Sequence, residues 1–376
     1  MMMQISMRSN ITLSIIALLS IGGFFVIENS KYDAKQNWYQ EKYQASLLTT
    51  AALDTLKATY LNKGIYVDNM NDPNETGIIG QKYSEITSGS GSLPIKQSTA
   101  NPNTSAMIVQ LLKDAGLEKG DHVAICLTGS FPALNIATYS AMKILKLRPT
   151  IILSTTSSSW GANDPYYTFL DMEKILFDKG FFSFKSIAAS IGANQDIGLG
   201  LSKAGRRLAK EAIERNNLPL IKGKTLGETI HSRMLLFEKN ASESPIKLYI
   251  NVGGGIASLG SKENGKSLPA GLNQNIKLKR IPDKIGVLYQ MAKQDIDVLH
   301  LLNLSRLLKK YSIPEKPEPI PAPGSGELFL KQKYNVFIVS LITLFLLSCI
   351  VFVIYLDQKR NKLGTQIISK SEDDQQ

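Results

Sequence analysis

Cysteine is nearly missing, with two residues in a chain of 376. Two thiols cannot carry a disulfide scaffold. These two are expected never to meet, since Cys126 falls in an apolar strand-like run and Cys349 in a second apolar run near the C-terminus. Cysteine usage therefore leaves the redox compartment open. Histidine is also sparse, with three residues, and no group of side chains stands at a metal-ligand spacing, so neither a metal nor a cofactor is expected. Basic clusters interleaved with aromatics are lacking as well. The formal net charge is +11, but the lysines are spread thinly. That argues against nucleic acid and leaves another kind of anion as the expected partner.

What the chain does hold is enough length for a large core and two long apolar runs. ITLSIIALLSIGGFFVI, residues 11–27, carries no charge and is about long enough to cross a bilayer. VFIVSLITLFLLSCIVFVIYL, residues 336–356, is longer and is followed by DQKRNK. Lys359, Arg360 and Lys362 argue for a cytoplasmic C-terminal end, and two spans then put the N-terminus on the same side, as Arg8 suits. Lys31, Lys35, Lys331 and Lys333 pull the other way, although long loops translocate with little regard for charge. No small-x-small cleavage site follows the first run, so a retained anchor is expected rather than a signal peptide.

The expected organisation is a cytoplasmic N-terminus (1–10), a transmembrane anchor (11–27), a helical stalk with an irregular opening segment (28–102) and an extracytoplasmic α/β domain (103–313). A Pro-rich linker (314–335), a transmembrane helix (336–356) and a cytoplasmic tail (357–376) follow, the tail reading as disordered at SKSEDDQQ. The chain would lie in a cell (inner) membrane with its main domain facing the periplasm or exterior.

Within the central region, Tyr39, Tyr43, Leu47, Ala51, Leu56 and Tyr60 recur at near-helical spacing and Gly64 supplies a stop. NDPNETG and SGSGSLP read as turns and loops. From Asn103 helices and strands alternate: TSAMIVQLLKDAG, the strand from His122 to Leu127, a helix beginning near Pro132, PTIILS, and a helix from about Tyr166 to Lys179. KSIAAS comes next, then a helix capped by Ser202, a helix from about Leu226 to Glu238, IKLYINV, the pair VLYQMAKQ and DVLHLLN, and a helix around Leu304 to Tyr311. Nearly continuous apolar strands alternating with helices predict a mostly parallel sheet covered on both faces, a Rossmann-like, three-layer α/β fold flanked by the two transmembrane helices. PEKPEPIPAPGSG reads as a semi-rigid spacer.

In open α/β sheets, ligands sit beyond the carboxyl ends of the strands. There the sequence puts Thr128, Gly129 and Ser130; Ser157, Ser158, Ser159 and Trp160 with Asn163 and Asp164; Asn194 and Asp196; Asn251 with Gly253, Gly254 and Gly255; and Asn303. Singly, each loop reads as a turn or a helix cap. As a set they read as a ligand-binding edge rich in N–H donors, because simple turns need neither an SSSW run nor three consecutive glycines. Ser130 and Asp164 are the catalytic candidates, although TGSFP is not the nucleophile-elbow pattern and Asp-Pro is commonly a turn. Of the histidines only His300 falls near this edge, and it reads as a satisfied core residue. GSKENGKS, residues 260–267, matches the phosphate-binding P-loop pattern. However, no strand directly precedes it and the LPAGLN that follows is unfit for helix, so a lysine-rich loop is expected.

The segments TGIIGQKYSEITSGSGSL, TANPNTSAMIVQLLKDAGLEKGD, TGSFPALNIA, SSSWGANDP, LDMEKIL, NVGGGIASLG and IDVLHLLNL together resemble the poly-γ-glutamate system protein family (PgsW-like), in order from about Asp72 to Pro314. The resemblance implies a membrane-anchored component that acts with the poly-γ-glutamate ligase and membrane subunits of the same system on an anionic, capsule-like polymer. It implies no catalytic residue. Three readings stay open: a protein that binds or processes the polymer, a hydrolase or transferase of γ-glutamyl bonds, and a structural partner of the synthase complex.

Overall fold

The computed structural model describes residues 9–241, 244–276 and 284–373, with side chains through residue 362. Arg8 and residues 374–376 lie outside the described residues. In chain order the elements begin with α1 (Asn10–Asn29), β1 (Tyr32–Lys35), α2 (Tyr39–Asn62), β2 (Thr87–Gly89), α3 (Leu93–Thr99) and α4 (Thr104–Asp114). The middle holds β3 (His122–Thr128), α5 (Pro132–Leu145), β4 (Arg148–Ser154), β5 (Ser157–Ser158), β6 (Asn163–Asp164), β7 (Tyr167–Thr168), α6 (Phe169–Asp178), β8 (Ala188–Ser190) and α7 (Lys203–Arg215). The last part holds α8 (Leu226–Asn240), β9 (Ile246–Val252), α9 (Ile256–Leu259), β10 (Gly271–Asn273), α10 (Val287–Lys293) and β11 (Asp297–Leu301). It closes with α11 (Ser305–Lys310), β12 (Leu330–Lys333) and α12 (Val336–Asp373). Two units result: Gln36–Phe329, and a second made of the chain ends, Met1–Lys35 with Leu330–Gln376.

The larger unit is built on one six-stranded sheet in the order β10-β11-β9-β3-β4-β8. Five strands run parallel and β10 closes one edge antiparallel. β3 is buried at every position, which is why such a strand reads as a continuous apolar run instead of an alternation. Ala124, Cys126, Ile152, Tyr249 and Val298 join a core cluster with Ile230, Met234 and Phe237 of α8 and Val287, Leu288 and Met291 of α10. The intervening Val123, Ile125, Ile151 and Leu153 point the other way by the two-residue strand period and are also fully buried, so both faces are covered. From β3 the chain steps to β4 and β8 on one side and later to β9 and β11 on the other. The winding reverses between β3 and β9, the place where such sheets open a crevice.

Local chemistry sets the helix boundaries. Pro132 occupies the first turn of α5, where a missing N–H is harmless. Thr168 and Asp171 form a reciprocal capping box on α6. Ser202 caps α7 by accepting from the Gly205 N–H at 3.0 Å, as its position predicts.

Three expectations change. The 28–102 segment is not a stalk: β1 takes Tyr32–Lys35, and α2 packs on α4 and α5, burying Ala45, Ala52, Leu53 and Leu56. Its apolar positions are there to cover the domain. The Pro-rich stretch is not a free spacer either. Lys316 N–H donates to Ser98 Oγ, Ile320 N–H to Asn74 Oδ1 and Gly324 N–H to Asn103 Oδ1, and Phe329 is fully buried. Prolines set the extended backbone, and side-chain amides elsewhere pin it. The tail, finally, is helical through Asp373 as the continuation of α12.

In the smaller unit, α1 and α12 are long and apolar enough to cross a membrane, over Asn10–Asn29 and Val336–Lys362. β1 pairs antiparallel with β12, from Tyr32 opposite Lys333 to Lys35 opposite Leu330. The two helices touch at Gly23, where a Cβ would stand 2.7 Å from the Ile342 Cγ2 methyl. Small residues at such a contact let helices of this kind approach closely.

Candidate functional site

A cavity of about 480 Å³ opens at the carboxyl ends of the parallel strands, a size in the range of small-molecule sites. Thr128 and Ser130 come from the end of β3, Ser154 and Thr156 from β4, Asn194 from the loop after β8, Gly254 and Gly255 from the loop after β9, and Asn303 from the loop after β11. The Ser88–Ser92 loop and Lys96 close the cavity from α3. Gly91 permits this closure, since a Cβ there would stand 2.3 Å from the Ser159 carbonyl oxygen.

Among the described residues lining the cavity, the charged ones are Lys96 and Lys262, and none is acidic. Lys96 is 2% exposed. Its Nζ donates to the Ser130 carbonyl oxygen, lies 3.0 Å from Ser158 Oγ and sits 3.7 Å from the centre of the Phe131 ring. Burial alone pulls its pKa from the usual 10.5 down to about 7, because removing an ammonium from water disfavours the charged form.

Beneath the floor lies a second buried cation. Arg233 reaches in from α8 and pairs with Asp196 at 2.9 Å, the two side chains 1% and 0% exposed. Its Nη2 also donates to Ser154 Oγ at 3.0 Å and Ser190 Oγ at 2.7 Å. Both hydroxyls donate in turn to Asp196 Oδ1, at 3.0 and 2.7 Å. Burial opposes the guanidinium charge, but Asp196 outweighs it and holds the pKa above its ordinary value. The network clamps the loop after β8, whose Ala193, Gln195 and Asp196 all take positive φ, a costly backbone state that persists when the surroundings dictate it.

Of the residues singled out from sequence, Thr128, Ser130, Ser158, Asn194, Gly254, Gly255 and Asn303 line the cavity. Asp196 is held in the ion pair with Arg233, and the others lie outside the lining. Ser157 is fully buried and donates to the Gly129 carbonyl. Ser159 lies 3.4 Å from the Gly89 carbonyl. Trp160 is a positive-φ turn residue. Asn163 clasps Gln81 through both its amide groups and reaches Thr87 Oγ1. Asp164 makes a two-residue turn, Oδ1 accepting from the Tyr166 N–H at 2.8 Å. Gly129 packs close to the Thr155 carbonyl, and Gly253 packs on Thr128. Asn251 is buried against His300, its Nδ2 donating to the ring Nδ1 at 3.1 Å. His300 is a satisfied core residue: burial lowers its pKa, partly opposed by the Gly265 carbonyl that accepts from Nε2.

Sequence reasoning missed Lys96 and Lys262 and set aside the SGSGS loop as a turn. Lys262 belongs to GSKENGKS, where a short helical turn, Glu263–Lys266, stands in place of a P-loop's strand and helix. No group of His, Cys, Asp or Glu among the described residues is arranged to hold a metal. No protein-family model, no curated protein and no solved structure matches the chain.

Proposed function

We propose that this chain is a two-span membrane protein whose extracytoplasmic α/β domain binds carboxylate groups of poly-γ-glutamate or a similar polymer during its synthesis, export or processing. The observation that carries the reading is the composition of the cavity, two lysines among hydroxyls and glycine-rich loops with no acidic residue among the described lining. Hydroxyl and N–H donors with cations suit carboxylate, and an acid-free wall adds no repulsion. A net charge of +11 and the resemblance to the poly-γ-glutamate system family point to the same class of ligand. The strand order with its reversal between β3 and β9 fits a Rossmann-like, doubly wound sheet, whose ligands sit at that crevice.

The antiparallel β1–β12 ribbon favours spans that run in opposite directions, so that both termini share one side. Lys359, Arg360 and Lys362 make that side the cytoplasm. Exported-reporter fusions at Gly324 are then active, and cytoplasmic-reporter fusions at Gly364 are active. The partners would be the poly-γ-glutamate ligase and membrane subunits of the same system.

Deleting the gene and measuring surface polymer amount and chain length tests the reading, with Lys96→Met and Lys262→Met expressed at wild-type membrane level as the site controls. Loss or altered chain length in all three strains is expected. Unchanged polymer in the deletion strain contradicts it.

A further inference from the structure

Lys96 and Ser158 stand in the relation that a nucleophile and its base require. The Lys96 amine is 3.0 Å from Ser158 Oγ and is held by a second bond to the Ser130 carbonyl. A carbonyl accepts and cannot donate. A neutral Lys96 that gives one N–H to that carbonyl can turn its lone pair to Ser158, whose hydroxyl then donates to the amine. Ser158 is fixed from its own side. Its N–H donates to Ser130 Oγ at 3.0 Å, and its strand pairs with Gly89 of the SGSGS loop. Both Ser158 and Lys96 line the cavity. Among the described residues lining it, Lys262 is the other charged group, and the Phe131 ring and Ser130 carbonyl face the amine directly. With its pKa near 7, Lys96 has both protonation states available at neutral pH, the range in which a general base is effective.

We propose that Ser158 is a nucleophile with Lys96 as its general base, and that the cavity transfers the acyl group of an amide whose acyl portion carries a carboxylate. The substrate class rests on the carboxylate-binding reading above. Ser158 Oγ bonds to the amide carbonyl carbon while Lys96 takes the hydroxyl proton. The carbon–nitrogen bond breaks and Lys96 passes that proton to the departing amine, leaving an ester on Ser158. Water then gives a proton to Lys96 as its oxygen bonds to the acyl carbon, and the ester bond breaks with Ser158 Oγ recovering the proton. The net change is addition of water across the amide, or transfer to a second amine where one takes water's place. Ser130 is a positioning residue here: it holds Ser158 by Oγ and Lys96 by its carbonyl.

The test uses the full chain in nanodiscs with a fluorophosphonate probe, read by peptide mass spectrometry, beside calorimetry with tri-γ-glutamate. Wild type is expected to be labelled at Ser158 at a rate that rises through about pH 7, and Ser158→Ala to lose the label. Lys96→Arg is expected to slow labelling at least ~100-fold while retaining its circular dichroism. Added methylamine should restore part of the rate in Lys96→Ala. Folded wild type that binds tri-γ-glutamate without labelling at Ser158, or Lys96→Arg labelled as fast as wild type, overturns the dyad and leaves the binding reading standing. Labelling at Ser158 without tri-γ-glutamate binding supports the dyad and overturns the substrate class.

Discussion

Arg233 and Lys96 are buried alike, 1% and 2% exposed, the first bonded to Ser154 of the cavity lining and the second part of that lining, yet they are opposite solutions to one problem. A cation taken out of water costs several kcal/mol unless charge and hydrogen bonds offset it. Arg233 meets that cost with Asp196, Ser154 and Ser190 and stays charged. Lys96 has a carbonyl, a hydroxyl and a ring face, and its charge is only partly supported. The first arrangement holds a loop in place. The second keeps a titratable amine in the lining of the cavity, and a perturbed group in a cleft is a candidate functional residue.

The largest effect should come from breaking the pair. Arg233→Met leaves Asp196 buried and uncompensated and should cost about 3–5 kcal/mol, measured by denaturant unfolding of the full chain in detergent. Adding Asp196→Leu should recover most of that loss, which would locate the cost in the stranded charge.

Lys96 should behave in the reverse way. Its folded pKa is lowered from 10.5 to about 7, so between those values the unfolded chain binds more protons than the folded one. Stability contributed by this group therefore rises with pH across that window, by up to about 1.4 kcal/mol per pH unit, and is flat below it, where both states are protonated. Lys96→Met should remove that slope while leaving the protein folded. An identical slope in the variant would mean that Lys96 is held charged, as Arg233 is.

Ser154→Ala sits between the two, since Ser154 lines the cavity and bonds to both members of the ion pair. A loss of about 1 kcal/mol is expected, read from the same unfolding curves. The smallest effect is at Asp164, whose carboxylate serves a local turn. Asp164→Asn should change stability by no more than about 0.5 kcal/mol and leave surface polymer at the wild-type amount.

This contrast also marks where sequence stops being readable. β3, β4, β9 and β11 are legible because strands buried on both faces are nearly continuously apolar, and Ser202 and Pro132 because caps follow local rules. The cavity edge is legible as a set of strand ends, and Ser130 and Ser158 with it. Lys96 is not legible, for it lies in a seven-residue helix with no motif around it. Its lowered pKa comes from burial, and the partners that hold it stand 34 and 62 positions away in the chain. Ser157, Asn163 and Asn251 stand within a few positions of true lining residues in the sequence, where apolar and polar patterning does not separate them. The pattern of prolines likewise predicts an extended strap but says nothing of Asn74 and Asn103, which pin it.

The most direct test of the account is isothermal titration of the full chain in nanodiscs with tri-γ-glutamate at neutral pH. Saturable binding at one site is predicted, weakened at least ~10-fold by Lys262→Met, as the loss of one charge-assisted contact implies, and weakened further by added salt. An absence of binding, or equal affinity in wild type and Lys262→Met, would contradict a carboxylate site in this cavity.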